Sequence, residues 1–165
     1  PEFNVTIKRV NRSLWNKFSK YHYLNHDINK TAKCFAAFVD DIPVAFEAVL
    51  SFPHPVSSGW RLHRTVCLPD YQGLGIGTML EDKVASVMRA TGKPVYNRMS
   101  HPAIIRAKAK SSNWKMTSKP KRQIPLGRTS SIKGLSSTLA RNRMTAAFKY
   151  VGKIDYESAK TLGVI

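Results

Sequence analysis

The sequence predicts an α/β (α+β) fold in which helices cover both faces of a mixed sheet. Segments with a hydrophobic period of two alternate along the chain with segments at the helical period. The length of 165 residues is typical of one domain, and 42% hydrophobic residues suffice for a packed core. We therefore expect a single domain over residues 1–165, with residues 1–3 as a vector remnant.

The first elements are a strand and a short helix. Asn4–Val10 alternates hydrophobic and polar residues, which is typical of a half-buried strand. Ser13 is a predicted N-cap for a helix whose apolar face includes Trp15 and Phe18. Residues 21–27 break this pattern and are predicted to form a loop with polar aromatic side chains.

A hairpin and a long strand follow. Lys33–Val39 and Val44–Ser51 are predicted strands joined by a turn at residues 40–43. After a proline-containing loop, Trp60–Leu68 shows a period of two. That period places four residues on one face: Leu62, Arg64, Val66 and Leu68.

The remaining elements come after a glycine-rich turn. Gly77–Thr91 is predicted to be an amphipathic helix that ends at Gly92. Residues 113–138 are rich in Ser, Pro, Lys and Arg, which predicts a long basic loop or arm. The other predicted elements are a strand at Pro94–Met99, a helix at His101–Lys110, a strand at Arg143–Val151 and a terminal helix at Asp155–Thr161.

The positive charge lies in one part of the chain. Residues 83–154 contain 17 Lys and Arg and no Asp or Glu, whereas residues 1–82 carry a net charge of +1. Protein surfaces normally mix both signs, because like charges repel one another. The stretch predicts an anionic partner, double-stranded DNA first, because Lys and Arg bind phosphates. A generically basic protein, or cations that serve only a small phosphorylated ligand, is the alternative.

The cysteines and the hydropathy pattern indicate a compartment. Cys34 and Cys67 both lie in apolar, strand-like segments. We expect buried free thiols in a reducing cytoplasm, with a disulfide or a metal pair as the alternative. No secretory signal pattern opens the sequence, and no apolar run reaches ~18 residues. We therefore expect a cytoplasmic protein without a membrane partner.

The glycine-rich turn between strand 60–68 and helix 77–91 is the strongest candidate site. Gly73, Gly75 and Gly77 permit positive φ and a close approach of ligand to backbone. Free N–H groups of the first helical turn, together with the helix dipole, then favour an anion. No Gly-Lys-Ser/Thr follows, so the turn is not a Walker A loop. A turn that only caps the helix is the alternative.

The turn resembles a known motif. Gln72-Gly73-Leu74-Gly75-Ile76-Gly77 is similar to the Q/R-x-x-G-x-G/A motif of the GNAT acetyltransferase superfamily in full. The resemblance implies the GNAT fold, a mostly antiparallel sheet with a splayed cofactor cleft, and acetyl-CoA or a related acyl-CoA with its pyrophosphate on this turn. The residues implied to bind the cofactor are Cys67, Leu68, Gln72, Gly73, Leu74, Gly75, Ile76 and Gly77.

A narrower resemblance is to the Mom DNA-modification proteins of Mu-like phages. It rests on segments such as Lys20-Tyr21-His22-Tyr23-Leu24, Arg61-Leu62-His63-Arg64 and Ser100-His101-Pro102-Ala103. It implies conversion of adenine in duplex DNA to an N6-carbamoylmethyl derivative, which protects DNA against restriction. Two alternatives stay open: an N-acetyltransferase of a protein or small amine, and a non-enzymatic nucleic-acid-binding protein on a GNAT scaffold.

The loop at residues 21–23 is a candidate substrate pocket, with His22 and Tyr23 as candidate catalytic residues. A base that leaves the duplex needs aromatic faces and polar groups around it, which Tyr21, His22 and Tyr23 could supply. An aromatic anchor that only holds the loop is the alternative. Arg64 could orient substrate or phosphate if its side chain lies inward, and a plain exposed position is the alternative.

Further catalytic candidates follow the strand that borders the implied cleft. Ser100 is a candidate catalytic residue or a helix N-cap. His101 is a candidate general base, because histidine transfers protons near neutral pH. Tyr150 is a candidate for protonating the leaving thiolate, as a tyrosine does in many GNAT enzymes. Glu47 and Asp41 are the remaining carboxylate candidates, and Asp41 fits a turn.

The DNA partner would need cationic contacts. The predicted substrate- or DNA-binding residues are Tyr21, Arg64, Arg106, Lys108, Lys110, Lys119, Lys121 and Arg122. We expect no metal site, since the only suggestive spacing, His22 with His26 and Asp27, lies in a predicted loop. A homodimer is possible, because a two-fold basic surface would suit duplex DNA.

Overall fold

The computed structural model describes residues 4–22, 27–53, 56, 58–122 and 144–165, with only the backbone at residue 122. Within these residues, seven strands form one sheet in the order β1-β2-β3-β4-β5-β7-β6. The β4–β5 pair is parallel and the other neighbouring strands are antiparallel. The strands are β1 (Val5–Val10), β2 (Lys33–Val39), β3 (Ile42–Phe52), β4 (Gly59–Cys67), β5 (Val95–Met99), β6 (Trp114–Arg122) and β7 (Met144–Tyr150).

Helical segments lie between the strands and after the last one. The α-helices are α1 (Ile76–Arg89), α2 (Pro102–Lys110) and α3 (Tyr156–Thr161), and short 3₁₀ helices span Arg12–Lys17, Ser19–Tyr21 and Pro69–Tyr71. The predicted fold class, a mixed and mostly antiparallel sheet with helices, is confirmed. The predicted vector remnant at residues 1–3 lies outside the described residues. None of the helices in the described ranges is long and apolar enough to span a membrane.

Hydrophobic clusters pack on both faces of the sheet. On the face covered by α1, here called the α1 face, Leu80 and Val84 pack with strand residues such as Phe35. On the opposite face, the 3₁₀ segments place Trp15 and Phe18 against the sheet. The predicted inward stripe of α1 is confirmed, because all four of its residues are buried: Leu80, Val84, Val87 and Met88.

The predicted shared face of β4 is wrong, because a β-bulge interrupts the strand. Ala48 lies opposite Arg64 and Val49 opposite Leu62, so residue 63 is the extra residue of the bulge. As a result, Leu62 packs in the cluster on the α1 face, whereas Val66 packs in the cluster on the opposite face. A bulge shifts the side-chain alternation by one residue, which hydrophobic periodicity alone does not reveal.

Two predicted helix caps are also corrected. The side chain of Asn11, not Ser13, caps the first segment by accepting a hydrogen bond from the Ser13 backbone N–H at 2.9 Å. His101, not Ser100, is the N-cap of α2. The reason is Pro102, which drives the residue directly before it into extended backbone and thereby starts the helix at the proline.

The predicted basic loop is a strand over its first part. Trp114–Arg122 forms β6, which pairs with β7 and is last in the strand order. Edge strands often carry lysines and proline that block further pairing, so the composition of this segment obscured its strand character. Residues 123–138 of the predicted loop lie outside the described residues. Both cysteines are free thiols; Cys34 is buried as predicted, whereas Cys67 is only half-buried.

Candidate active site

A cleft opens between β4 and β5. These strands pair only at Trp60/Val95, Arg61/Tyr96 and Leu62/Asn97. Beyond that point β4 continues to Cys67 and β5 to Met99 without pairing to each other. The bulge at His63 follows the last pair directly. We call the end of pairing, at Leu62 and Asn97, the cleft apex. The splayed strands implied by the resemblance are thus present.

The glycine turn stands where β4 leads into α1. Gly73 and Gly75 both have φ of +79°, a conformation that costs other L-residues about 1–2 kcal/mol. Gly75 is the N-cap of α1, a helix of 14 residues, so the first N–H groups of that helix have no intrahelical acceptor. The side chain of Gln72 braces the turn by donating to the Cys67 carbonyl at 3.0 Å. Residues 72–75 are exposed, so the turn is accessible to an anion.

A buried polar network lies beneath the cleft apex, on the α1 face. The Thr65 hydroxyl is within hydrogen-bond distance of Glu47 and lies 2.9 Å from Glu81 Oε1. Burial raises the pKa of Glu47 well above its usual value, and the negative charge of Glu81 adds to this. Because a hydroxyl carries one proton, it donates to one carboxylate and accepts from the other. The raised pKa of Glu47 favours its protonated form, in which Glu47 donates to Thr65 and Thr65 donates to Glu81.

Lys108 completes the network from α2. Its Nζ donates to Glu81 Oε2 at 2.6 Å and lies 3.7 Å from the centroid of the Trp114 ring. The Asn97 amide donates to the other oxygen of Glu81 at 3.3 Å. Lys108 is only 4% exposed. The structure therefore contradicts its predicted role in binding DNA, because a buried ammonium paired with a carboxylate is not available to phosphates.

Other polar groups surround the apex on the opposite face. Burial lowers the pKa of His63 to about 4, with further contributions from Arg64, Arg61 and His22. The imidazole of His63 is therefore neutral at pH 7. Arg64 donates from Nη1 to the His63 carbonyl at 3.2 Å, so its guanidinium is held beside the bulge. His22 is half-buried, with its ring 5.8 Å from that of Trp15.

The remaining predicted catalytic residues are spread over the fold. Ser100 and His101 follow β5 at the open end of the cleft, half-buried and exposed respectively. Tyr150 lies elsewhere: Asn97 at the apex pairs with Phe148, so Tyr150 is displaced toward the closed end. Its hydroxyl donates to the Lys153 carbonyl at 3.0 Å. This position and hydrogen bond indicate that Tyr150 has a structural role away from the cleft.

The predicted substrate-binding residues are not gathered in one place. Tyr21 is 43% exposed, and the Lys20 ammonium lies 4.9 Å from its ring centroid. Exposed cations stand on α2 and on β6: Arg106, Lys110, Lys119 and Lys121. Tyr23, His26 and the side chain of Arg122 lie outside the described residues. Asp41 is a turn residue with φ of +62°. The described ranges contain no cluster of three or more metal-ligating side chains.

Sequence reasoning missed most of the buried network, although helical spacing offered a signal. Glu81 stands three residues before Val84 and seven before Met88, which places it on the inward stripe of α1. Lys108 follows the buried Ile105 by three residues and therefore shares its face. Two opposite charges on two inward faces are a signal for a buried ion pair.

Comparisons with known proteins agree with this architecture. The profile described as "Acetyltransferase (GNAT) family" matches residues 5–102. That range is more than half of the chain, and its splayed strands and glycine turn are those of a cofactor-binding acyltransferase fold. The chain belongs to the GNAT acetyltransferase family. No curated protein matches the sequence significantly.

Solved structures show the same fold at low sequence identity. The ribosomal-protein-S18-alanine N-acetyltransferase from Escherichia coli has a TM-score of 0.61 at 12% identity, over 93% of this chain and 98% of its own. Arabidopsis thaliana Naa50, solved with the bisubstrate analogue CoA-Ac-MVNAL, has a TM-score of 0.56 at 14% identity, over 87% and 97%. A Bacillus subtilis acetyltransferase in complex with CoA has a TM-score of 0.61 at 8% identity, over 90% and 97%.

Proposed function

We propose that the protein is an N-acyltransferase that takes its acyl group from acetyl-CoA or a related acyl-CoA and transfers it to an amine. The observation that carries the proposal is the cleft, which has the exposed glycine turn at one end and a set of proton-holding groups at its apex. Gly73 and Gly75 leave open space where a side chain would otherwise stand, since a Cβ built at either position meets nothing within 4 Å. A diphosphate fits there.

The glycine turn and the cleft apex would have different roles in the reaction. The N–H groups at the start of α1 would hold the pyrophosphate, with Gln72 bracing the turn. When bound, the thioester supplies an activated acyl carbonyl and a thiol leaving group. His63, neutral at pH 7, has a lone pair that can accept a hydrogen bond from the attacking amine, although its pKa of about 4 makes it a weak base. On the other side of β4, the Thr65 hydroxyl bridges the carboxyl groups of Glu47 and Glu81.

Calorimetric titration with acetyl-CoA tests the cofactor site. Gly75→Glu introduces backbone strain and places a carboxylate where the pyrophosphate binds, so measurable binding should disappear. Gly92→Glu is the matched control, because Gly92 has φ of +81° and open space around it but stands beyond the other end of α1. Gly92→Glu should retain binding within about threefold. Equal binding by the two variants would show that the turn is not the pyrophosphate site.

Release of free thiol measures the transfer reaction. Acetyl-CoA is incubated with small amines, with peptides bearing a free N-terminus, and with DNA, and the acylated product is identified by mass spectrometry. Thiol release that depends on the amine supports transfer to that acceptor. Hydrolysis at the same rate with and without every amine, by a protein that binds acetyl-CoA, would argue against an N-acyltransferase.

The second candidate is a Mom-like DNA adenine modification. It is favoured by the 17 cations and the absence of acids in residues 83–154, because duplex DNA is a dense polyanion. An N6-carbamoylmethyl group contains a nitrogen that acetyl-CoA does not supply, so this reaction would need a second donor. A homodimer in the cytoplasm of an infected bacterium would be compatible with it.

Mass spectrometry of nucleosides from plasmid DNA, isolated after expression of the protein, tests this candidate. A deoxyadenosine derivative heavier by a carbamoylmethyl group is the expected result. The control is plasmid DNA from cells expressing Gly75→Glu, in which the derivative should be lost. Unmodified deoxyadenosine alone, from cells that contain the folded wild-type protein, would leave the acyltransferase proposal as the only one.

A further inference from the structure

A row of side chains crosses four strands of the sheet on the face opposite α1. Arg61 pairs with Tyr96, Tyr96 with Lys149, and Lys149 with Lys115. Residues that are paired directly across strands point to the same face. The adjacent row, formed by the neighbouring residue on each strand, points to the α1 face. Its residues pack in or against the core there: Leu62, Asn97, Phe148 and Met116. The first row is therefore on the outer face of this part of the sheet.

Two more side chains join this row. Arg98 follows Tyr96 by two residues and is exposed, and Phe52 at the end of β3 has its ring 6.2 Å from that of Tyr96. Together they line a cavity of about 440 Å³ with Arg61. We call this surface the open basic face, and define it by Phe52, Arg61, Tyr96, Arg98, Lys115 and Lys149.

No acidic side chain among the described residues forms an ion pair with the cations of the open basic face. Within the described part of the chain, the ion pairs are Lys8–Asp41, Lys83–Asp155 and Lys108–Glu81, and none involves its four cations. Lys115 and Lys149 even stand directly opposite each other, and such like-charge pairs destabilise a sheet. This like-charge pair is slightly unfavourable in the isolated protein, and an anion that lies across it would offset the repulsion.

The aromatic rings indicate which class of anion suits this surface. Phe52 and Tyr96 lie among the cations, and the Arg61 guanidinium is 5.9 Å from the Phe52 ring centroid. Flat rings between cations suit a ligand that alternates phosphates with flat bases. The row, which includes three of the four cations, spans three gaps between strands, roughly 14 Å, a length that covers more than one phosphate of a nucleic-acid strand.

We propose that the open basic face binds a nucleic-acid strand, with phosphates on its four cations and at least one unstacked base against Phe52 and Tyr96. The surface continues along β4 from Arg61 to His63 and Arg64 at the cleft apex, so a bound strand would present a base amine to the cleft. The proposal rests on the proposed function in one respect, since it names the carrier of the acceptor amine. Strand binding itself is measurable without transfer.

Fluorescence anisotropy with a labelled single-stranded oligodeoxynucleotide tests the proposal. The double variant Arg98→Gln/Lys115→Gln should bind on the order of tenfold more weakly, and its salt slope, log Kd against log salt, should fall by about 1.4. The matched control is Lys153→Gln/Lys160→Gln, which removes two exposed cations near the C-terminus and should change affinity less than about threefold. Equal weakening by both double variants would overturn the proposal in favour of general charge attraction.

Variants of Tyr96 distinguish base stacking from charge attraction. Tyr96→Ala should weaken oligonucleotide binding about tenfold, and Tyr96→Phe should keep it, because stacking needs only the ring. Displacement of the oligonucleotide by polyglutamate at equal charge concentration would overturn the proposal and identify an acidic protein as the partner. Titration of the same variants with acetyl-CoA keeps the two proposals apart: strand binding without cofactor binding defeats only the proposed function, and the reverse result defeats only this inference.

Discussion

The two faces of the sheet around β4 and β5 differ in whether their charged side chains have partners of opposite charge. On the α1 face, Lys108 is paired with Glu81, and Glu47, whose pKa is raised by burial, is hydrogen-bonded to Thr65. On the other face, the cations of the open basic face have no acidic partner within the described residues. One face is closed by α1 and α2, whereas on the other face Arg98 and Lys115 are exposed and Arg61 and Lys149 are half-buried.

The difference shows which charges serve the fold. A charge removed from water must be neutralised, because an unpaired buried ion costs several kcal/mol, so the α1 face has an internal partner for each ion. Exposed cations remain hydrated and need none. The buried set is therefore expected to respond to mutation through stability, and the exposed set through binding. The predictions below test this division, beginning with the largest effect.

Removing the ammonium from the buried network should cause the largest loss of stability. Lys108→Met leaves the Glu81 carboxylate in the interior without its counter-ion, which should lower the free energy of unfolding by about 3–5 kcal/mol. Urea denaturation measures the change. Lys110→Met, on the exposed side of the same helix, is the control and should shift stability by less than about 0.5 kcal/mol.

A double variant separates the ion pair from packing. Glu81→Met/Lys108→Met removes both charges and should recover most of the lost stability, since paired buried ions contribute little net free energy. If Lys108→Met were as stable as the wild type, the ammonium would not be buried beside Glu81, and the contrast between the two faces would fail.

The protonated carboxyl of Glu47 should give stability a pH dependence of known sign. Its pKa is raised in the folded protein, so its contribution is present in full below the unfolded pKa of about 4.3 and is lost as pH rises toward the folded pKa. Over that range the wild type should lose about 1.4 kcal/mol per pH unit relative to Glu47→Gln, because glutamine imitates the protonated form. Urea denaturation from about pH 4 to 8 measures it.

An exposed carboxyl provides the comparison for Glu47. Asp41 is exposed and stands 3.7 Å from Lys8, and Asp41→Asn should leave the slope of stability against pH unchanged within error. Parallel profiles for the wild type and Glu47→Gln would mean that Glu47 is ionised in the folded protein, and the direction of hydrogen bonding through Thr65 would then be reversed.

The contrast between the faces also explains what the sequence could predict. The inward stripe of α1 and the glycine turn depend on local spacing, and both were predicted. The bulge at His63 depends on pairing with β3, and the strand character of β6 depends on pairing with β7. Neither is encoded in the periodicity of its own segment. The glycine turn could therefore be predicted from the sequence, whereas the cleft apex required the register of the sheet.

The same limit applies to the charges. The composition shows that the cations are concentrated in residues 83–154, but it does not distinguish Lys108 from Lys110. Only the packing of α2 separates them, because Lys108 faces Glu81 and Lys110 faces solvent. Arg61 precedes that stretch in the sequence, yet the parallel pairing with β5 brings it beside Tyr96. Which cations act together is thus a property of the sheet.

The smallest expected effect concerns stability at the open basic face. Lys115→Gln removes one member of the like-charge pair with Lys149, so it should raise the free energy of unfolding by about 0.2–0.5 kcal/mol at low salt. The gain should vanish at about 1 M salt, where the screening length falls to about 3 Å. Lys8→Gln, which removes a favourable contact with Asp41, should change stability slightly in the other direction.

The sign of this small effect tests the role of the face. A lysine whose removal stabilises the isolated protein, yet weakens its binding to an oligonucleotide, is kept for the partner and not for the fold. Urea denaturation of Lys115→Gln at two salt concentrations, beside the anisotropy measurement, provides both signs. If the variant is instead destabilised at low salt, an acidic group of the chain already neutralises Lys115, and the open basic face has less charge to offer a strand than its residues suggest.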